Sequence, residues 1–264
     1  MVVAAEANPD LCKQLRERFA RSIECERLVV ENCVVTARQE AISVPFYISK
    51  CHVHSQFPKP AKSEDFKEVI LPAKRIDSLI AEHGPPYYIK IDVEHYDQVL
   101  LRALFNAGIR PPFLSAESHS IKVFLLMASL GRYTAYKIVD GSSVEHVYKQ
   151  CEISTCKGRV RYSFPSHSAG PFGDDIAGEW VSAEGLFSRL LAEGLGWKDI
   201  HATTDACDSL KCSFSAIAIA TYLFYCFRWQ FHTYGGLRLI RQALGKLKRS
   251  LLRRFHGTMN ACSR

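Results

Sequence analysis

Glycine is absent from the first 83 residues of this 264-residue chain, where the first glycine is Gly84. Loops that hold nucleotide phosphates need glycines, because only a residue without a side chain lets the backbone approach the ligand closely. The amino-terminal part therefore has no phosphate loop of the G-x-G type. This absence argues against a protein that binds the phosphates of a nucleotide cofactor through such a loop.

Acceptor sites for N-linked glycosylation, N-x-S/T, are also absent, which disfavours a heavily glycosylated secretory protein. The ten cysteines include two pairs of equal spacing, Cys151 with Cys156 and Cys207 with Cys212. Such pairs form disulfides in an oxidising compartment or bind zinc, but zinc knuckles usually have two residues between their thiols and these pairs have four. We expect unpaired or buried cysteines and no metal. The sequence does not decide between a cytoplasmic and a membrane-associated protein.

Acidic residues are absent from the last 37 residues, 228–264, which carry nine Lys and Arg. Because the whole chain has a net charge of +7, the residues before this tail carry a net charge of −2. The positive charge therefore belongs to the tail, and residues 1–205 form a separate domain from residues 206–264. No nucleic-acid-binding motif accompanies the basic residues, so we expect no nucleic acid partner.

Residues 206–264 are predicted to form a helical, basic carboxy-terminal extension. Its run Ser213–Phe227 is uncharged over 15 residues, which is shorter than the ~20 residues that span a bilayer. Leu237–Phe255 has leucines on one helical face and Arg and Lys opposite, which is typical of a helix at a membrane surface. We expect contact with a membrane through residues 213–255. The alternative is a core helix followed by a solvated basic helix.

Residues 1–205 alternate strand-like and helix-like runs in the manner of β-α-β units, which predicts an α/β fold. The predicted strands are Val2–Ala5, Arg27–Ala37, one that ends near Leu71, Tyr87–Ile91, Phe113–Ala116 and Thr134–Val139. The predicted helices are Pro9–Ser22, Ile76–His83, Tyr96–Ala107 and Ile121–Leu130. Residues 41–63 alternate and then break at Pro58 and Pro60, which predicts an extended insertion or a loop over the sheet.

Carboxylates follow three of the predicted strands. Glu6 ends the first, Asp92 and Glu94 follow Tyr87–Ile91, and Glu117 ends the next strand. Open α/β sheets bind ligands at the carboxyl ends of their strands, so we expect these carboxylates at one rim. Asp92 and Glu94 are two residues apart and would face the same way if the strand continued through them.

Four stretches, in this order, resemble the FkbM family of S-adenosylmethionine-dependent methyltransferases: VVAAEANPDL (2–11), PAKRIDSLI (72–80), KIDVE (90–94) and PPFLSAES (111–118). The resemblance covers about residues 1–140, and no single stretch would suffice. Two later stretches, FPSHSAGPFGDDI and GLGWKDIHA, resemble one branch of that family. The resemblance implies a Rossmann-like class I methyltransferase sheet and S-adenosyl-L-methionine as cofactor.

The first strand of such a sheet and its glycine-rich turn have no counterpart here, because they would lie just upstream of VVAAEANP. In a sheet of this type that strand is central, so its absence removes hydrogen-bond partners and half of the cofactor site. We therefore expect a domain that is incomplete at its amino terminus. The alternative is a complete protein with a rearranged amino terminus and no methyl-transfer activity.

The resemblance assigns a role to Glu6, and residue type and position suggest the other candidates. Glu6 binds the ribose hydroxyls of the cofactor; the alternative is a carboxylate that only stabilises the helix at Pro9. The candidates for cofactor binding are Glu6, Asn8, Asp92 and Glu94. The catalytic candidates are Asp92, His95, Glu117 and His119. The candidates for substrate binding are His167, Asp174 and Asp175. Asn8 is also a candidate helix cap, and Asp92 and Glu94 a capping cluster for the helix at Tyr96.

His95 departs from the family, which usually has glycine at this position. A histidine there is a candidate base, because its ordinary pKa lies near neutrality, or a packing residue. The Gly-rich stretch around Asp174 and Asp175 is either a ligand loop or a surface loop, and Trp197 and His201 are further candidates for the acceptor pocket.

The expected activity is O-methylation of a hydroxyl on a small molecule or a sugar, so the expected partner is a small-molecule or glycan acceptor. The enzyme would align the acceptor oxygen with the sulfonium methyl group and supply a base. The alternative is a catalytically inactive methyltransferase-like binding module that is attached to a membrane.

Overall fold

The computed structural model describes residues 1–38, 42–50, 54–62, 64–166 and 168–204, and these residues form a mixed α/β protein. The strands are β1 (Val2–Ala5), β2 (Leu28–Glu31), β3 (Val34–Thr36), β4 (Ser43–Ser49), β5 (Phe66–Arg75), β6 (Tyr88–Ile91), β7 (Phe113–Glu117), β8 (Ala135–Asp140), β9 (Cys151–Thr155), β10 (Gly158–Tyr162), β11 (Val181–Ser182) and β12 (Lys198–Thr203). The helices are α1 (Pro9–Arg18), α2 (Ala20–Glu24), α3 (Ile76–His83), α4 (Asp97–Asn106), α5 (Ile121–Ser129), α6 (Val144–Val147) and α7 (Ala183–Glu193).

The largest sheet has five strands in the order β11-β8-β12-β7-β6. β6 and β7 are parallel, with Lys90 opposite Ser115. β12, the last described strand in the chain, lies between β7 and β8 and is antiparallel to both. The sequence analysis did not predict β12, although all six of its residues are buried.

The two faces of this sheet differ in polarity because side chains alternate along each strand. One face is apolar and includes Leu114, Ile200 and Tyr136, of which Tyr136 packs edge-on against Phe124 of α5 with ring centroids 5.5 Å apart. The other face carries a row of polar residues in register across four strands: Lys90, Ser115, His201 and Lys137. The polar face therefore adjoins the carboxyl ends of the strands, where the carboxylates were predicted.

Part of residues 41–63, predicted to be an extended insertion or a loop, is the regular strand β4. β4 pairs with β5 in antiparallel register over all seven of its residues. Val44 and Phe46 alternate into a small core with Val34 and Leu71, and this burial holds β4 in a three-stranded sheet of order β3-β5-β4. The partner of β4 is Phe66–Pro72 of β5, whereas Ala73–Arg75 pair with β3, so β4 depends on a pairing between separate parts of the chain.

The predicted strand Arg27–Ala37 is two strands that belong to different sheets. β2 pairs in parallel with β1, whereas β3 pairs in parallel with β5. Asn32 lies at the switch and donates hydrogen bonds from Nδ2 to the backbone oxygens of Glu6 and Ala7, each at 3.0 Å. The predicted helix Pro9–Ser22 is likewise interrupted, at Phe19, between α1 and α2.

Two strands next to the predicted rim have an unpaired edge. Among the described residues, β1 pairs only with β2 and β6 pairs only with β7. Both pairs are parallel, and the middle residues of both strands are half-buried. One edge of β1 and one edge of β6 thus lack a strand partner in the described part of the chain.

Within the described ranges, no helix has the length and apolar character needed to cross a membrane. The predicted contact through residues 213–255, the carboxy-terminal extension and the pair Cys207 and Cys212 lie outside the described residues. Cys151 and Cys156, the other pair, are both free thiols.

The cap of α1 gives a stability prediction. Asn8 is fully buried, and its side-chain oxygen accepts the backbone N–H of Asp10 at 3.0 Å. Loss of an N-cap costs about 1–2 kcal/mol, so Asn8→Ala is expected to lower the free energy of unfolding by that amount. Urea unfolding measures it. Asn106→Ala, at an exposed position near the end of α4, is the control and should change the value by less than ~0.5 kcal/mol. Equal effects of the two variants would contradict the role of Asn8 as a cap.

Candidate functional site

A cavity of about 860 Å³ opens at the carboxyl ends of β1, β6 and β7. Its volume lies in the range of sites for small molecules and cofactors. The structure brings together in its lining the carboxylates predicted from three strand ends, together with one candidate base: Glu6, Asp92, Glu94, Glu117 and His119. The cavity is therefore the candidate functional site.

Glu6 ends β1 and is held in place by the backbone that follows it. Its Oε1 accepts the backbone N–H of Asn8 at 2.7 Å. Burial raises the pKa of Glu6, and the backbone N–H groups of Asn8 and Ala7 oppose this rise. Asn8 itself, predicted to bind the cofactor, turns its side chain to the cap of α1 and does not line the cavity.

Lys90 is the central cation of the site. Its Nζ donates to both carboxylate oxygens of Asp199, at 3.1 and 2.9 Å, and lies 3.2 Å from Asp92 Oδ2. Burial disfavours its charged form, but the carboxylates of Asp199 and Asp92 outweigh burial and raise the pKa of Lys90. Lys90 therefore stays protonated and neutralises Asp199, which is itself buried.

His119 joins two of the predicted carboxylates. Its Nε2 lies 2.9 Å from Glu117 Oε2 and 3.8 Å from Glu94 Oε2. The hydrogen bond to Glu117 raises the pKa of His119, whereas burial raises the pKa of Glu94. An imidazole that a carboxylate holds in one orientation is the usual arrangement of a general base.

Asp92 and Glu94 do not face the same way, contrary to the expectation from their spacing. β6 ends at Ile91, and the chain then turns through His95, whose φ is +64°. Asp92 consequently faces Lys90 while Glu94 faces His119. The capping alternative is also not what the structure shows, because α4 has no side-chain hydrogen bond at its N-cap, Tyr96.

His95 has the left-handed backbone conformation that favours glycine. Its side chain is exposed, and its ring centroid lies 4.9 Å from that of His119. It does not line the cavity. Of the two predicted histidines, His119 is therefore the better placed for proton transfer.

Asp97, which the sequence analysis missed, lies beneath the rim. It is 2% exposed, and its Oδ2 has no hydrogen-bond partner among the described residues. Its Oδ1 accepts the backbone N–H of Val93 at 3.5 Å. Burial raises the pKa of Asp97 to about 6, and the charges of His119 and Asp92 act on it in opposite directions. Asp97 thus adds a further negative charge behind the turn that carries Glu94.

Asp174 and Asp175, two of the predicted substrate-binding residues, do not line the cavity. Asp175 accepts hydrogen bonds from the backbone N–H and the hydroxyl of Ser154, and Asp174 accepts one from Trp180 Nε1. His167 lies outside the described residues, although Ser168 and Ala169 next to it do line the cavity.

The two further acceptor-pocket candidates separate in the structure. Trp197 lines the cavity. His201 lies on β12, one alternation deeper than Asp199, and is 3% exposed. Burial lowers its pKa to about 3, which keeps the imidazole neutral next to the cations Lys90 and Lys137. Its Nε2 has no hydrogen-bond partner among the described residues.

One group outside the cavity has the spacing of a metal site. Glu31, Glu82 and His83 place ligand atoms within 4.8 Å of one another. Lys74 Nζ, however, donates to Glu31 at 3.0 Å and to Glu82 at 2.9 Å. The lysine ammonium group already supplies the positive charge there, so this group reads as an ion-pair network between β5, β2 and α3.

Comparisons with known proteins add nothing to this geometry. No family model, no curated protein and no solved structure matches the chain.

The backbone at His95 gives a second prediction. A left-handed conformation costs a non-glycine residue ~1–2 kcal/mol, and a β-branched residue tolerates it least. His95→Gly should leave the free energy of unfolding within ~1 kcal/mol of the wild type, whereas His95→Val should lower it by ~1–2 kcal/mol. Urea unfolding of the two variants measures this difference. Equal stability of the glycine and valine variants would show that φ at this position is not positive in solution.

The ion pair of His119 gives a third prediction. Because Glu117 raises its pKa, His119 should titrate above the ordinary value of 6.5, and Glu117→Gln should bring the titration down. NMR titration of the imidazole Cε1–H resonance measures both, with His119→Asn to assign the resonance. The pair stabilises the folded state below the ordinary histidine pKa, and this contribution is lost as pH rises through the raised value. A pKa that is unchanged in Glu117→Gln would rule out the pair.

Proposed function

We propose that this chain is an S-adenosyl-L-methionine-dependent O-methyltransferase of the FkbM type. The observation that carries the proposal is the convergence of Glu6, Asp92 and the pair Glu117 and His119 in one cavity at the carboxyl ends of parallel strands. That is the place where open α/β sheets bind cofactors. The resemblance of residues 1–140 to the family contributes the choice of cofactor.

The end of the cavity next to β1 fits the cofactor. Glu6 offers a carboxylate oxygen beside the backbone N–H of Asn8, a pairing suited to ribose hydroxyls. Asp92 interacts electrostatically with Glu6, so the two carboxylates face the same volume. A cofactor with a sulfonium and an ammonium group is attracted by such a pair. When bound, it would supply an electrophilic methyl group.

The sheets support a Rossmann-like arrangement with one central strand missing. β1 and β6 each belong to a parallel pair, each has an unpaired edge, and their carboxyl ends both line the cavity. A parallel strand between them would satisfy both edges. Its following turn would then enter the cavity beside Glu6, where the family has its glycine-rich motif. We infer that the central strand of a methyltransferase sheet would lie at this position.

The end of the cavity next to β7 supplies the base. His119 would accept the proton of the acceptor hydroxyl, and Glu117, 2.9 Å away, would orient the imidazole and stabilise its protonated form. Asp92 is less suited to this role, because its carboxylate is engaged in an ion pair with Lys90, whose Nζ lies 3.2 Å away. Because the pKa of His119 is raised, its neutral, basic form predominates only at a pH above the ordinary histidine pKa.

The fourth prediction concerns cofactor binding. Isothermal titration of S-adenosylhomocysteine into the chain should give saturable binding, and Glu6→Ala should weaken it by at least about tenfold, which is ~1.4 kcal/mol. Glu152→Gln, on the exposed strand β9, is the control and should bind like the wild type. Circular dichroism verifies that each variant is folded.

Two outcomes would contradict the proposal. A folded wild-type chain without saturable binding would favour the inactive binding module for residues 1–264. Binding that survives unchanged in Glu6→Ala would place the cofactor elsewhere.

A further inference from the structure

The β7 end of the cavity, defined by Glu94, Glu117 and His119, has its own electrostatic environment. The charges that act on Glu94 come from His119, Glu117, His54 and His95. Those that act on Glu6 include Asp92. Glu94, which the family resemblance assigns to the cofactor, therefore belongs by its surroundings to the acceptor half of the cavity.

The negative charge of the Glu94 carboxylate is only weakly compensated by its neighbours. Its side chain is 21% exposed, and the nearest cation in the described residues is His119 at 3.8 Å, which is already paired with Glu117 at 2.9 Å. No described residue donates a hydrogen bond to its side chain. A half-buried carboxylate in this condition is stabilised by a ligand that brings a positive charge.

The charges around Glu94 do not compensate it. The cavity is lined by five carboxylates, against one lysine: Glu6, Asp92, Glu94, Glu117 and Asp199, with Lys90. Lys90 is engaged by Asp199 and Asp92. Asp97, which is 2% exposed and has an unpartnered Oδ2, adds negative charge from behind and acts on His119. Even with the imidazoles of His54 and His119 counted as cations, carboxylates outnumber cations in the lining.

Aromatic rings also line the cavity. Phe57 and Tyr96 meet edge to face with ring centroids 5.3 Å apart, and both line the cavity, as does Trp197. Aromatic faces beside a carboxylate are the usual surroundings of a bound ammonium group, because the ring quadrupole attracts cations.

We propose that Glu94, Phe57 and Tyr96 bind a positively charged amine, so that the methyl acceptor is a hydroxyl compound that also carries an ammonium group. This assignment rests on the proposed methyl transfer, since that function is what makes the β7 end the acceptor half. It narrows the acceptor from hydroxyl compounds in general to cationic ones. The ammonium group would be bound at Glu94 while the hydroxyl lies near His119.

The test compares cationic ligands with neutral ligands of the same shape. Choline is titrated against 3,3-dimethylbutan-1-ol and tyramine against 4-propylphenol, each with and without saturating S-adenosylhomocysteine, by isothermal titration. Both members of each pair carry a hydroxyl, and only one carries a charge. In at least one pair the cation should bind tenfold or more tightly than its neutral counterpart. Glu94→Gln should abolish this preference, Tyr96→Leu should weaken it several-fold, and Glu152→Gln should leave it unchanged.

The outcomes separate the two proposals. If S-adenosylhomocysteine binds but neither cation is preferred, the cationic acceptor is overturned and the methyltransferase stands. If a cation binds through Glu94 but S-adenosylhomocysteine does not, the amine site stands and the methyl transfer falls. A preference that persists in Glu94→Gln overturns the assignment to this carboxylate. If nothing binds, both proposals are overturned.

Discussion

The ion pair of Lys90 with Asp199 is the interaction on which the candidate site depends. The pair spans β7 and joins β6 to β12. It therefore links the strand that precedes Asp92 to a strand inside the five-stranded sheet. Removing one partner of such a buried pair leaves an uncompensated charge, which typically costs ~3–5 kcal/mol. Without Lys90, the carboxylates at the rim would repel one another, and the cavity would lose the group that allows them to converge.

The sequence predicted the alternating elements and the strand-end carboxylates well, because both follow from local patterns. Helix α3 begins and ends at the predicted residues, since Gly84 closes it. Long-range pairing was less accessible. β4 is a strand only because β5 extends alongside it, and β12 adds to the sheet from the far end of the described chain. Lys90 and Asp199, 109 residues apart, share no local signal that joins them.

The residues of the candidate site likewise include some that local patterns predict and some that only the fold reveals. Glu6, Glu94, Glu117 and His119 could be chosen from their positions after strands, and the structure brings them into one cavity. Asp97 was missed because a first-turn aspartate reads as a favourable partner of the helix dipole, whereas only the fold shows that it is buried. Asp174 and Asp175 were chosen from a Gly-rich stretch, yet their partners Trp180 and Ser154 hold them away from the cavity.

The cavity and the unpaired strand edges are two consequences of one arrangement. Because β1 and β6 do not pair with each other, their carboxyl ends can remain apart, and the volume between them is open to a ligand. The same separation exposes backbone N–H and C=O groups that a further strand would satisfy. Negative charge is concentrated on both sides of this volume, by Glu6 and Asp92 at one end and by Glu94 and Asp97 at the other. Clefts lined mainly by charge of one sign attract ligands of the opposite sign, so positive charge is the first property to test in a ligand of this cavity.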